Sequence, residues 1–189
     1  MEKQKLLNTK VNNLSMAETI AEIEELLQKK GKFYVTPINV DVVMKMEQDS
    51  YLKKIIDCAD IVLVDGKPLV WISWLYHRKV KEKISGSDLV PLLCSVSAKK
   101  GYSIFLVGGK EGIAVKAKKK LEESYPGIQI IGTCSPPLGF EKNLEELDKM
   151  NSKISEAHPD LLIVCFGCPK QEKWIYENID KYEAKVSIC

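Results

Sequence analysis

Ile61-Val62-Leu63-Val64-Asp65-Gly66 is the stretch on which the fold turns. Four apolar residues run into one carboxylate, and a glycine follows at once. An unbroken short apolar run, as opposed to an alternating one, is the pattern of a strand buried on both faces, as in a parallel sheet. Asp65 then stands where the strand ends and the chain turns. In open α/β sheets, ligands bind outside the carboxyl ends of the strands. A carboxylate there can take a proton or hold a sugar hydroxyl. It can equally cap the helix starting near Lys67-Pro68, because Asp ahead of a helix-initiating proline is a common cap. The stretch alone leaves both readings open.

Working outward, the same alternation recurs. Phe33-Tyr34-Val35 reads as a strand ended by Thr36-Pro37, and Leu6 to Val11 as a short first strand. Tyr102–Val107, Ile128–Gly132, Leu161–Phe166 and Val186–Ile188 read as further strands. Between them lie helical periods. Ser15-Met16-Ala17-Glu18 is a capping box, and Ile20, Ile23, Leu26 and Leu27 keep helical spacing up to Gly31. Asn39–Met46 and Tyr51–Cys58 form two helical pieces broken near Asp49-Ser50. Pro68–His77, Asp88–Ala98, Gly112–Tyr125, Leu144–Ala157 and Pro169–Ile179 complete the set. Strands alternating with helices predict an α/β protein. Its fold is Rossmann-like and three-layered, with a mostly parallel sheet and helices on both faces. Trp71 and Trp74, three apart on one helix, read as core or interface in preference to a ligand platform. Val186–Ile188 is a buried strand that a following helix normally covers, so a further C-terminal segment is expected beyond this chain.

Composition narrows the function. The 189 residues suit one domain, with 45% hydrophobic and 29% charged residues. A net charge of +2, with Arg78 the single arginine among 28 basic residues, speaks against a nucleic-acid reader, which leans on bidentate arginine contacts. Lys116, Lys118, Lys119 and Lys120 are the one local crowding of charge. No apolar run reaches membrane-spanning length, and Met1–Leu6 leads into no leader-like stretch, which reads as a cytoplasmic chain. Its six cysteines are then expected to be reduced.

Four strand ends carry the chemistry. Thr36-Pro37-Ile38-Asn39 places small polar groups that suit a sugar or phosphate, or, through Asn39, a helix cap. Phe105-Leu106-Val107-Gly108-Gly109-Lys110-Glu111-Gly112 is strand, glycine turn and helix start, the form of an anion site or simply of a tight turn. It lacks the Gly-x-Gly-x-x-Gly spacing, and the acidic residue that would hold a ribose farther on is missing. A nicotinamide-dependent oxidoreductase is therefore the weaker alternative. Gly167-Cys168-Pro169-Lys170-Gln171-Glu172 again sets a glycine and a helix start at a strand end, with Lys170 and Gln171 as donors. Lys83 and the Ser85-Gly86-Ser87-Asp88 turn lie between strands, as a helix cap or an anion contact. Cys165 and Cys168 are a lone pair with neither His77 nor His158 placed to complete a metal site, so no metal is expected. Lining one rim of a parallel sheet, the four ends together favour a phosphate-bearing ligand.

These motifs resemble the WecG/TagA/CpsF glycosyltransferase family, from about Leu6 to the last residue. The pieces that carry it are Thr36–Asn39, Ala59–Gly66, Ile84–Leu89, Phe105–Gly109, Tyr125-Pro126-Gly127 and Gly167–Glu172, matching in order and spacing. The resemblance implies an inverting, metal-independent enzyme with no cofactor. Such an enzyme moves a sugar from a UDP-sugar donor to a polyprenyl-diphosphate-linked acceptor. The donor implied is UDP-N-acetylmannosamine, with UDP-N-acetylmannosaminuronic acid or UDP-glucose as alternatives. A nucleotide-sugar-binding module without chemistry is a third reading. By position, Asp65 becomes the catalytic base, and Thr36, Asn39 and Gln171 become sugar-pocket residues. Gly108 and Gly109 join the UDP site, and Gly66, Lys83, Ser87, Asp88 and Lys170 complete the substrate-binding set. Two departures stand out. Lys83 occupies a place where the family often has arginine, so a point charge replaces a bidentate fork. Family chains also continue into a basic segment associated with the membrane surface. The expectation is thus a cytoplasmic enzyme, peripheral at the inner face of the membrane. Its apolar Pro68–Leu75 helix is available for packing between subunits.

Overall fold

Each residue of the Ile61–Val64 strand is buried, two on each side of the sheet. This is seen in a computed structural model that describes residues 3–189; Met1 and Glu2, the start of the Met1–Leu6 stretch, lie outside them. Two short strands, β1 (Gln4–Leu6) and β2 (Thr9–Val11), pair as an antiparallel hairpin. Six more form the main sheet: β3 (Phe33–Ile38), β4 (Ile61–Val64), β5 (Ser103–Gly108), β6 (Gln129–Cys134), β7 (Leu161–Cys165) and β8 (Val186–Ile188). Their order is β4-β3-β8-β7-β5-β6, and every neighbouring pair is parallel. Among the described residues the α-helices are α1 (Met16–Gln28), α2 (Val40–Gln48), α3 (Ser50–Cys58), α4 (Lys67–Leu75), α5 (Gly86–Lys100), α6 (Ile113–Ser124), α7 (Leu144–Ala157) and α8 (Lys170–Asn178).

Strand alternation divides the core in two. Val62 and Val64 join Val42, Leu52, Leu69, Ile154 and Trp174, from α2, α3, α4, α7 and α8. Ile61 and Leu63 join Ile23, Leu89 and Leu93 from α1 and α5, with α6 packed alongside. Both strand faces are therefore covered, which is why β4 reads as a continuous apolar run. The expected three-layer α/β fold is what the chain forms.

Local chemistry sets the ends. The Ser15 hydroxyl accepts from the Glu18 N–H at 3.3 Å, and the Ser15 N–H donates to the Glu18 carboxylate at 2.7 Å, closing the capping box on α1. Asp49 ends α2 and caps α3, accepting from the Leu52 N–H at 2.9 Å.

Three expectations are corrected. Leu6–Val11 is not one strand, because Leu7 takes φ +54° and turns the chain into the hairpin. The hairpin's exit covers the edge of β4: the Asn12 side chain accepts from the Val62 N–H at 2.8 Å, and the Asn12 N–H donates to the Val62 carbonyl at 2.8 Å. Thr36-Pro37 does not stop β3, which runs on to Ile38. Val35 faces β8, its carbonyl accepting from the Cys189 N–H, and pairing on that side ends at Val35↔Ile188. Pro37, two residues on, points its missing N–H away from β4, and the pairing with β4 runs on through Pro37↔Leu63 to Ile38↔Val64. Of the two readings of Trp71 and Trp74, core does not hold and interface is left open: they are 56% and 53% exposed, and among the residues of α4 only Leu69 and Ser73 are buried.

After β5 the chain crosses to one layer, into α6; after β7 it crosses to the other, into α8. The two strands are neighbours, so a crevice opens between their carboxyl ends.

Candidate functional site

Asp65 leaves β4 with its N–H donating to the Ile38 carbonyl at 2.8 Å, which ties the ends of β4 and β3 together. Gly66 begins α4 at φ +96°, and no side chain caps that helix. The capping alternative for Asp65 therefore does not hold. Among the described residues its half-buried carboxylate has no hydrogen-bond partner. Burial pushes its pKa up, opposed by the Lys83 ammonium and reinforced by the Asp88 charge. The Ile84 N–H donates to the Val64 carbonyl at 2.8 Å, which pins the Lys83–Ser85 segment against the strand end. Lys83 is ion-paired to Asp88, and the Ser85 hydroxyl donates to the same carboxylate at 2.6 Å. These two contacts hold Asp88 below the usual carboxylate range. Ser85, not Ser87, caps α5, with its oxygen 2.9 Å from the Ser87 hydroxyl. One corner of the rim thus gathers Asp65, Gly66, Lys83, Ser87 and Asp88.

Asn39 and Thr36 sit lower at the end of β3. The Asn39 side-chain oxygen accepts from the Val42 N–H at 3.0 Å and caps α2. Thr36 is 0% exposed, and its hydroxyl lacks a hydrogen-bond partner beside the Cys189 thiol. It lies beneath the rim, under whatever occupies it.

Gln171 holds the middle. The Gly167 N–H donates to its oxygen at 3.0 Å, and its amide donates to Glu172 at 3.1 Å. It lines a cavity of about 530 Å³ with Gly86, Ser87, Gly167 and Cys189. The N-terminus of α5 opens there, its Gly86 close to the Cys189 carbonyl.

A larger cavity, about 760 Å³, lies in the β5/β7 crevice, and Asp65 is not among its lining residues. Gly109, Lys110, Ser135, Leu138, Phe166 and Lys170 are among its walls. Lys170 pairs with Glu141 at 3.0 Å. Gly108 is buried, and the Gly109 N–H donates to the Cys165 carbonyl at 3.3 Å. Gly108 therefore packs β5 against β7, and the cations that line the crevice are Lys110 and Lys170. Four strand spacings separate β4 from β5, roughly 19 Å. The rim accordingly presents a carboxylate corner and a nucleotide-sized crevice, with Gln171 between.

Two contributors were not singled out by sequence. Glu172 is 1% exposed with one carboxylate oxygen unpartnered, and burial raises its pKa. Its signal was a carboxylate in the first turn of a helix that follows a glycine. Phe166 packs at a tilt against Phe140, ring centroids 4.6 Å apart, and edge-on to Trp174 at 5.6 Å, forming a wall of the large cavity. An aromatic ahead of the glycine at a strand end was the available sign. Cys165 and Cys168 are free thiols.

A doubly wound parallel sheet with an uncapped carboxylate and a nucleotide-sized crevice on its carboxyl rim defines an α/β protein of the nucleotide-ligand class. The chain belongs to the Glycosyl transferase WecG/TagA/CpsF family, whose model matches residues 4–189. Among curated relatives, an N-acetylglucosaminyldiphosphoundecaprenol N-acetyl-beta-D-mannosaminyltransferase of Bacillus spizizenii is 28% identical, over 88% of this chain and 62% of its own length. The protein of the same name in Bacillus subtilis is 25% identical over 100% of this chain and 72% of its own. That of Staphylococcus aureus is 23% identical over 97% and 70%. The chain thus spans less than two thirds of the first of these relatives.

Proposed function

We propose that this chain forms the catalytic domain of a metal-independent, inverting glycosyltransferase. It moves N-acetylmannosamine from UDP to the N-acetylglucosamine of undecaprenyl diphosphate, an early step in wall teichoic acid synthesis. The carrying observation is the Asp65 carboxylate, half-buried and uncommitted at the rim, with its pKa raised by burial. The relatives' names supply the sugar and the acceptor.

In a single displacement the acceptor hydroxyl attacks the anomeric carbon as the bond to the diphosphate breaks. Asp65 takes the hydroxyl proton, and a raised pKa makes it the stronger base. UDP leaves with the electron pair. Its negative charge is met by Lys110 and Lys170 at the crevice. Asn39 and Gln171 position the sugars between the two ends, and Lys83 and Asp88 set the charge around the base. The enzyme works at the cytoplasmic face of the membrane as a peripheral protein.

The test is transfer from UDP-N-acetylmannosamine to a lipid-diphosphate N-acetylglucosamine acceptor, by the full-length protein, with EDTA present. Asp65→Asn should lower kcat by about 10²–10⁴-fold, the usual worth of a general base. Unchanged turnover in that variant removes Asp65 from the chemistry, and loss of wild-type transfer in EDTA removes the metal-free mechanism.

A further inference from the structure

The face of α4 that points to solvent is its apolar one. Lys67, Trp71, Trp74 and Leu75 fall at i, i+4, i+7 and i+8, one side of the helix, and Arg78 follows past the left-handed turn at His77, its N–H donating to the Ser73 carbonyl at 2.9 Å. Trp71, Trp74 and Leu75 are 56%, 53% and 79% exposed, and Tyr76 follows at 61%. No Asp or Glu occurs between Asp65 and Glu82. Of the basic residues there, Lys67, Arg78 and Lys79 have no ion-pair partner among the described residues, whereas Lys81 is bound to Glu18.

We infer that this face is a bilayer-docking surface, seating Trp71, Trp74 and Leu75 among the headgroups of an anionic leaflet, with Lys67 and Arg78 against lipid phosphates. Trp and Tyr are the residues that favour the interface between water and hydrocarbon. Basic residues flanking an apolar stripe add attraction to anionic lipid. A second copy of the chain is the other occupant that an apolar face admits. A two-fold contact would bring each Lys67–Arg78 set against its own likeness, with no acid on the face to neutralise it. The charge therefore favours lipid. Since α4 begins directly after Asp65-Gly66, docking here holds the base close to the membrane surface. The inference rests on the lipid-linked acceptor proposed above and adds to it the surface that meets the membrane.

The experiment is co-sedimentation of the 189-residue chain with vesicles of phosphatidylcholine plus phosphatidylglycerol, and of phosphatidylcholine alone, read together with tryptophan emission. Trp174 is 3% exposed, so an emission shift to the blue reports on Trp71 and Trp74. Binding should require the anionic lipid and fall with added salt. It should weaken about fivefold for each of Lys67→Gln and Arg78→Gln. Trp71→Ser/Trp74→Ser should weaken it at least tenfold and leave the UDP-induced rise in Tm intact. Absence of binding by the wild-type chain, or equal binding by the double variant, overturns the inference. So does a concentration-dependent dimer that the double variant abolishes without any vesicle binding. Vesicle binding by a chain whose full-length form transfers no sugar would instead overturn the transferase and leave the docking surface standing.

Discussion

Replacing Gly108 by alanine separates a packing glycine from a phosphate-cradling one. A Cβ built on Gly108 lies 2.3 Å from the Cys165 carbonyl oxygen and 2.7 Å from its carbon. Reaching an ordinary contact of 3.4 Å takes a shift of about 1 Å, and the obstacle is the backbone of β7, not a side chain that can rotate away. Overpacking of this kind costs about 1–3 kcal/mol. Gly108 also sits at φ +123°, where a side chain adds a further ~1–3 kcal/mol of strain. The sum is about 4 kcal/mol, which for a protein of this size lowers Tm by about 8–16 °C. Gly112 is the control: its φ is +77°, but its Cβ meets nothing within 4 Å. Gly112→Ala carries only left-handed strain, about 1–2 kcal/mol, and a Tm drop of about 2–8 °C. Differential scanning calorimetry of the two variants without ligand decides the matter. If Gly108→Ala melts within a degree or two of Gly112→Ala, the close approach of β5 and β7 is not what requires glycine at position 108.

Other expectations concern the rim. Asn39→Ala should lose the α2 cap, about 1 kcal/mol, whereas Asn39→Ser keeps a capping oxygen. If Asn39 also touches a sugar, the serine variant holds its Tm yet loses more than tenfold in kcat/KM. Asp88→Asn removes a charge that raises the Asp65 pKa and releases Lys83 toward it, so the acid limb of the kcat/KM profile should move to lower pH. Lys83→Gln removes the opposing charge, and the same limb should move up. Glu172 has a higher pKa folded than unfolded, so its ionisation costs stability as pH rises out of the ordinary carboxylate range. Glu172→Gln should therefore raise Tm at neutral pH, with the gain vanishing below that range; an equal gain at both pH values refutes it.

Periodicity and end signals made much of the fold legible. The buried run of β4, the capping box of α1 and the whole of α7 stand where the pattern of apolar and capping residues puts them. Pairing is where local pattern fails. Pro37 looked like a stop because a proline breaks a ladder, but its missing N–H points away from β4, and the pairing with β4 carries β3 on to Ile38. Trp71 and Trp74 read as core or interface because they are large and apolar, and nothing local tells which side of a helix meets the sheet. At the site, an Asp before a helix is ambiguous until the geometry of Gly66 shows that the cap is unused. Asn39 was equally ambiguous, and there the capping bond is made. The burial of Glu172 depends on β8 and α2, far off in sequence, so no window around it reveals the cost of its charge.

β8 gives the molecule an order of assembly. It is the strand that joins β3 to β7; without it the sheet is two pieces, β4-β3 and β7-β5-β6. The Phe33↔Val186 pairing closes a loop of 153 positions (186 − 33), an entropy cost of about 4 kcal/mol. On the ribosome, β3 waits until Val186 has been made, and until then β3 and β7 each show an open edge of the kind that recruits other chains. The carboxylate corner belongs to one half and the crevice to the other. A chain arrested before Val186 should therefore be both prone to aggregate and without a site, because the two ends of the rim come into register only when the last strand slides between them.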